Sequence, residues 1–278
     1  MDKVNPKIKN QSSKFKRLKN ILKKMGSVAI AFSGGTDSTF LVKVAKDILG
    51  RHNVLAVTAS SETYPCSELR DSKKLAKLIG VRHIIIKTEE LKDANFRANS
   101  RERCYFCKGE LFDKMITIAK EEGLKRVCDA SNYDDIKDLR PGRRAAQERQ
   151  ISSPLKEARL TKEDIRALSR RLGLPTWNKP AYACLASRIP YYEEITKSKL
   201  KTIEAAEDIL RKKFEFRQVR VRRHGDIARI EVASDEINKF FEDGLREDIV
   251  KKFNDIGFKY VTVDLKGYRT GSMNEALK

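Results

Sequence analysis

Residues Ser27–Phe32 form a short apolar run that stops at Ser33-Gly34-Gly35. A run of this length closed by a glycine turn predicts a buried strand. The residues that follow place Phe40, Leu41, Val44 and Ile48 on one helical face, and Gly50 ends that pattern. The unit then repeats. Val54–Thr58, His83–Lys87 and Arg126–Ala130 read as strands, and Ser67–Ile79 and Lys108–Glu122 as helices stopped by Gly80 and Gly123. Strands alternating with helices of about ten residues or more predict a parallel sheet covered on both faces. In such sheets ligands lie beyond the carboxyl ends of the strands. Both the Ser33–Ser38 turn and the acidic stretch after Asp129 fall at that edge.

Further along, Thr161-Lys162-Glu163-Asp164 reads as the capped start of a helix that runs to Leu172 and stops at Gly173. Pro175–Pro190 holds prolines at 175, 180 and 190 and shows no period, which predicts a loop. The pattern changes beyond it. A helix is expected at Lys199–Lys213, then alternating strands at Gln218–Arg222 and Ile227–Val232, two helices, and a last strand at Tyr260–Leu265. The expected fold class is therefore α/β, with a parallel-sheet domain over residues 1–190 and a smaller α+β domain over 191–278.

A chain of 278 residues is long enough for two such cores. No apolar run approaches the roughly 20 residues that span a bilayer. The Lys-rich stretch Met1–Lys24 is not followed by the apolar core of a signal peptide. These features imply a cytoplasmic protein without a membrane partner. Lys and Arg number 59 against 39 for Asp and Glu, a net charge of +20. That surplus attracts polyanions, and it is equally compatible with a solvated basic surface. It does not choose between RNA and a small phosphorylated molecule. Five cysteines, an odd number, argue against a disulfide framework and for metal or sulfur chemistry.

The most specific motif is Ser33-Gly34-Gly35-Thr36-Asp37-Ser38, set between the first strand and the first helix. Gly34 and Gly35 let the backbone approach an anion and turn its N–H groups inward. The helix start adds partial positive charge, and Ser33 and Ser38 add hydroxyl donors. Asp37 suits a Mg²⁺ ion carried on a phosphate. An ordinary capped glycine turn is the plain alternative. The Walker A pattern is absent. This motif resembles the signature of the PP-loop ATP pyrophosphatase superfamily, a resemblance that runs over roughly 27–188. It implies ATP bound along Ser33–Ser38, an adenine pocket at Thr58-Ala59-Ser60, and cleavage between the α and β phosphates. The acidic stretch Asp129–Asp135 matches a segment that closes over the nucleotide, with Ala130 where the superfamily has glycine. Arg140, whose fork suits phosphate oxygens, is expected to meet a phosphate.

Cys104-Tyr105-Phe106-Cys107 lies just before a predicted helix, between Arg103 and Lys108. One C-x-x-C serves zinc, redox or cluster roles alike, and no second pair or histidine pair completes a zinc site. Cys184, near the ligand edge, supplies a third thiol. Three thiols leave one position open, which suits a 4Fe-4S cluster with a free iron. Incidental burial is the competing account. Cys66 and Cys128 read as small buried hydrophobes.

Three further stretches carry a closer resemblance: Trp177-Asn178-Lys179-Pro180-Ala181, Cys184-Leu185-Ala186-Ser187-Arg188, and Arg220-Val221-Arg222-Arg223-His224 with Ala228-Arg229-Ile230-Glu231. Together with Gly267–Asn274 they resemble the LarE family, the sulfur transferases of nickel-pincer nucleotide synthesis. The resemblance implies that a carboxylate of pyridinium-3,5-dicarboxylate mononucleotide is adenylated and then converted to a thiocarboxylate, in two rounds. It also implies a homo-oligomer and sulfide or another sulfur donor. Some members sacrifice a cysteine, at the place where this chain has Ala183. Others hold a 4Fe-4S cluster on three cysteines, which Cys104, Cys107 and Cys184 match. Ser187 and Arg188 are expected to hold the substrate phosphate, with Arg220 and Arg222 on one strand face, unless those two arginines form only a solvated basic strand. Glu207 matches a helix position near the family's site. Competing expectations are a PP-loop tRNA thiolation enzyme, which would explain the positive charge, and a nucleotide sensor without chemistry. Against the former, the sequence shows neither zinc ribbons with paired C-x-x-C nor an RNA-binding appendage, so nucleic acid is not the expected partner.

Overall fold

The computed structural model describes residues 6–137, 141–180, 183–269 and 272–273. The chain opens with α1 (Pro6–Met25), β1 (Val28–Ala31), α2 (Thr36–Leu49), β2 (Val54–Ser60), α3 (Cys66–Ile79) and β3 (Arg82–Lys87). It continues with α4 (Ala94–Arg97), α5 (Arg103–Glu121), β4 (Arg126–Cys128), α6 (Pro141–Glu148), α7 (Pro154–Glu157) and α8 (Lys162–Arg171). The last part holds α9 (Lys197–Lys212), β5 (Val219–His224), β6 (Ile227–Val232), α10 (Leu245–Asp255) and β7 (Tyr260–Val263). Two compact units result, Met1–Glu90 with Cys104–Tyr182, and Leu91–Arg103 with Ala183–Lys278. The second unit thus takes up Ala183 before Pro190 is reached, and it borrows the α4 segment from within the first. Among the described residues no helix is long and apolar enough to cross a membrane.

In the first unit four parallel strands stand in the order β3-β2-β1-β4. Side chains alternate across a strand, so β1 feeds two cores. Val28 and Ile30 join Leu18 and Leu22 of α1 and Phe40, Leu41 and Val44 of α2. Ala29 joins Leu55, Val57, Phe112 and Met115 on the other side, where α5 lies. This is the expected α/β sheet with helices on both faces. The helix α1 was read only as a Lys-rich stretch. Its apolar residues Phe15, Leu18 and Leu22 nevertheless reach the core, with the Phe15 ring 6.1 Å from that of Phe40.

The second unit is a three-stranded sheet, β5-β6-β7, antiparallel between β5 and β6 and parallel between β6 and β7. Leu210 of α9 and Phe253 of α10 pack with Val219, Val221, Ile230 and Val232. The first of the two helices expected after β6 is a 3₁₀ segment, Ser234–Phe241. Gly267 lies at φ 65, and a Cβ there would stand 2.8 Å from the Val232 carbonyl oxygen, so the chain can cross the end of β6 only as glycine.

If α1 belongs to the core, Leu22→Ala leaves a cavity and costs about 2–5 kcal/mol. Urea unfolding measures this, and an unmoved midpoint would detach α1 from the core.

Candidate functional site

β1 ends at the sheet's carboxyl edge and hands the chain to the Ser33–Ser38 loop. Gly34 sits at φ 67, and a Cβ there would press to 3.3 Å from Ser72 Cα, so backbone conformation and space both demand glycine. Gly35 caps α2 in an extended conformation and supplies no side-chain cap. The first-turn N–H groups of α2 therefore keep their donor capacity at the positive end of the helix. Ser33 and Ser38 face each other with their oxygens 3.1 Å apart, and the Ser33 hydroxyl accepts from the Gly35 N–H at 3.3 Å. The loop is braced from outside by Tyr64, whose hydroxyl donates to the Ser33 carbonyl at 2.7 Å. Burial, reinforced by Glu68 and Asp71, pushes the Tyr64 phenol well above its ordinary range, so it stays a donor.

Asp37, in the first turn of α2, carries the clearest sign of a missing partner. Its Oδ2 accepts from Lys162 Nζ at 2.8 Å and from Asn132 Nδ2 at 3.4 Å, while Oδ1 is buried with no partner among the described residues. A buried carboxylate oxygen without a donor is costly. An oxygen-seeking cation such as Mg²⁺ fits it. Lys162 was read only as part of a helix start. The capping box of Thr161 and Asp164 fixes the first turn of α8, and the Lys162 N–H donates to Asp134 Oδ2 at 2.8 Å. The acidic stretch after β4 thus meets the phosphate loop through Asn132 and Lys162. Arg140 lies outside the described residues.

Two expected ATP contacts are placed differently. The Thr36 hydroxyl donates to the Thr176 carbonyl at 2.8 Å and is not offered to a phosphate. Thr58 is buried, donates to the Phe32 carbonyl at 2.6 Å and accepts from His83 Nε2 at 2.8 Å. Its side chain locks the end of β2, leaving half-buried Ala59 and Ser60 to line that edge. Burial, helped by Lys73, lowers the His83 pKa, which keeps the ring neutral with its proton on Nε2.

Cys104 and Cys107 stand inside α5 and not before it, because that helix starts at Arg103. Three residues apart, they share a helical face. Cys104 is exposed and Cys107 half-buried, and Cys184, half-buried, lies in the second unit. Thiolates are the donor type that a soft iron centre takes. Among the described residues no group of three or more His, Cys, Asp or Glu side chains stands ready to hold a metal ion. Cys128 is buried as expected. Cys66 is exposed, contrary to the reading of it as a small buried hydrophobe, because the inward face of α3 is taken by Glu68, Ser72, Leu75, Ala76 and Ile79.

In the second unit the basic residues are not a solvated face. Arg220 and Arg222 are both buried. Arg222 pairs with Glu231 Oε2 at 2.8 Å and donates to the Ser187 carbonyl at 3.0 Å and the Ser272 hydroxyl at 3.1 Å. The Arg220 guanidinium stacks over Tyr268 at 5.1 Å. Arg188 is fully buried in a fork with Glu207, 2.8 Å from Nε to Oε1 and 3.2 Å from Nη2 to Oε2. Its remaining amino group donates to the carbonyls of Ala183 and Cys184 and to the Ser187 hydroxyl. Arg188 therefore braces the Cys184 turn, and the direct grip on a phosphate expected of it is spent on Glu207. Burial pushes the Glu207 carboxyl up, but Arg188, with Arg211 and Arg220, outweighs it and holds the pKa below the ordinary 4.5. Buried Arg188 and Arg222 pair with Glu207 and Glu231, and buried Arg220 stacks on Tyr268 beside them, so the three guanidinium groups are held out of water in one unit. Glu231 and Ser272 were missed as members of this network. The one available signal was a charged residue at alternate positions on two adjacent strands.

Comparison with known proteins finds relatives along most of the chain. The NAD synthase family matches residues 11–117. The chain is 38% identical over 256 residues to the pyridinium-3,5-bisthiocarboxylic acid mononucleotide synthase of Lactiplantibacillus plantarum, covering 92% of each chain. It is also 43% identical over 265 residues to the uncharacterized protein slr1717 of Synechocystis sp., covering 95% of this chain and 98% of that one. The uncharacterized protein MJ0830 of Methanocaldococcus jannaschii is 33% identical over 258 residues, 91% of this chain and 96% of that one.

Because the folded Glu207 pKa is lowered, its contribution to stability is present above about 4.5 and is lost as pH falls through the lowered value. Glu207→Gln is expected to flatten that acid dependence and to cost about 3–5 kcal/mol at neutral pH, since Arg188 is left buried without a counter-charge. Denaturant melts from pH 3 to 7 check both, and an unchanged pH slope contradicts the pairing.

Proposed function

The chain belongs to the LarE family of pyridinium-3,5-bisthiocarboxylic acid mononucleotide synthases, ATP-using enzymes of the PP-loop class, and from that premise we propose that it adenylates the carboxylates of pyridinium-3,5-dicarboxylate mononucleotide and replaces oxygen by sulfur. The observation that carries the ATP step is the uncapped start of α2 beside Asp37, whose buried Oδ1 has no partner among the described residues.

In this reading the α2 N–H groups and the Ser33 and Ser38 hydroxyls bind the β and γ phosphates. Asp37 would hold Mg²⁺, which neutralises the phosphates when bound. Lys162, now paired with Asp37, supplies a second cation at the same edge. A substrate carboxylate oxygen attacks the α-phosphorus, the α–β bridging bond breaks, and pyrophosphate leaves. A sulfur nucleophile then attacks the acyl carbon, and AMP departs with the former carboxylate oxygen. Arg220 and Arg222, two buried guanidinium groups at alternate positions of β5, would hold the phosphate of the mononucleotide. Ser187 positions through the Cys184 carbonyl, to which its hydroxyl donates at 2.8 Å. Cys104, Cys107 and Cys184 would hold a 4Fe-4S cluster, which when bound would supply sulfide for transfer. The exposure of Cys104 and the partial exposure of Cys107 and Cys184 support that assignment.

Asp37→Ala removes a partly exposed carboxylate and no core volume, so the fold is expected to survive while mononucleotide-dependent pyrophosphate release is lost. Normal release in that variant sinks the assignment.

The cysteines are tested separately. After anaerobic reconstitution, Cys104→Ser, Cys107→Ser and Cys184→Ser should each lose iron–sulfur absorbance and sulfur transfer, whereas Cys66→Ser and Cys128→Ser keep both. Pyrophosphate release should persist in all five. A single turnover with loss of H₂S from Cys184, seen by intact mass, would establish sacrifice of that cysteine instead.

A further inference from the structure

The segment Thr176–Lys179 binds neither nucleotide nor substrate in the account above, yet it grips the phosphate loop. The Lys179 N–H donates to the Thr176 carbonyl at 3.1 Å and closes a turn. That carbonyl accepts the Thr36 hydroxyl at 2.8 Å, and the Lys179 carbonyl stands 3.5 Å from the same hydroxyl. The Lys179 side chain runs to α3, where its ammonium lies 3.0 Å from Glu68 Oε2 and 3.2 Å from Asp71 Oδ2. Only 15% of the Lys179 side chain and 7% of that of Glu68 are exposed. Burial opposes the Lys179 charge, but Glu68 and Asp71 prevail and raise its pKa, so the cation persists at neutral pH.

A carboxylate as buried as Glu68 needs a cation beside it, so the turn is held to α3 by more than an exposed ion pair supplies. The consequence falls on Thr36, the first residue of α2. A threonine hydroxyl near a helix start competes for local backbone groups. Here it is drawn away to the 176–179 turn, and no side chain caps the helix. Gly35 leaves the donors of the first turn open to an anion, and the Thr36 bond fixes where that turn stands.

We propose that Lys179 is a positioning residue for ATP. Through Glu68 and Asp71 it anchors the 176–179 turn, and through that turn it fixes Thr36 and the start of α2 in the anion-accepting arrangement. The inference rests on reading Ser33–Ser38 as the ATP site, and it assigns Thr36 as a strut in place of a phosphate ligand.

The test is ATP affinity by equilibrium dialysis on the full chain, without mononucleotide, alongside urea unfolding. Lys179→Met alone strands a buried carboxylate, so the informative variant is the charge-neutral pair Lys179→Met with Glu68→Gln. That pair is expected to raise the ATP Kd by about tenfold or more, and Lys179→Arg to stay near the wild type. Thr36→Val should show a comparable rise, and adding it to the pair should cost nothing further, because both act on one linkage. A purely structural role would lower the unfolding midpoint and the fraction of competent sites while leaving their Kd unmoved. An unmoved Kd, or losses that add, overturns the proposal. Pyrophosphate release in the same preparations keeps the two readings apart. A wild-type chain that binds ATP yet releases no pyrophosphate with the mononucleotide sinks adenylation, and the Kd comparison still decides Lys179. A wild-type chain without ATP affinity overturns both.

Discussion

The first unit is organised around a helix start that its own side chains leave uncapped. A parallel strand ending at Ala31 delivers the chain to Gly34, whose positive φ and close approach to Ser72 favour glycine. Every other arrangement at that edge keeps the α2 start available. Tyr64 holds the Ser33 carbonyl, Thr36 is pulled outward, and Lys162 and Asn132 steady one oxygen of Asp37 while the other stays buried without a partner. Unmet donors and an unmet acceptor within one helical turn suit a ligand that is both anionic and metal-bearing. ATP with Mg²⁺ has that character.

The second unit solves a different problem, that of burying arginines. Arg188, Arg220 and Arg222 are withdrawn from water, and Glu207 and Glu231 pair with the first and the last of them. Desolvation makes such a cluster expensive unless hydrogen bonds fill the remaining positions. Carbonyls of Ala183, Cys184 and Ser187 do so, which ties the turn bearing Cys184 to the ion cluster. The position of the thiol is thus set by charge as much as by packing.

Much of this was readable in advance because it depends on local rules. The β1-loop-α2 unit, the glycine stops of α2 and α3, and the Thr161 capping box are each written in a few contiguous residues. What was missed depends on distant partners. Lys162 reads as part of a helix start and Lys179 as one letter of a motif until Asp37 and Glu68 are brought to them by folding. Arg220 and Arg222 read equally well as a solvated strand face, and only the covering of both sides of β5 decides the matter. The start of α1 hid its apolar residues among lysines. Cys66 was misjudged because the inward side of α3 is fixed by the sheet it packs on, not by its own first turn.

The central claim is that a carboxylate oxygen attacks the α-phosphorus of ATP before sulfur arrives. Following the oxygen tests it most directly. With pyridinium-3,5-dicarboxylate mononucleotide labelled with ¹⁸O in its carboxylates, the AMP released on sulfur transfer should carry one labelled oxygen, found by mass spectrometry, and the pyrophosphate none. Unlabelled AMP, or label in ADP or inorganic phosphate, would contradict the account.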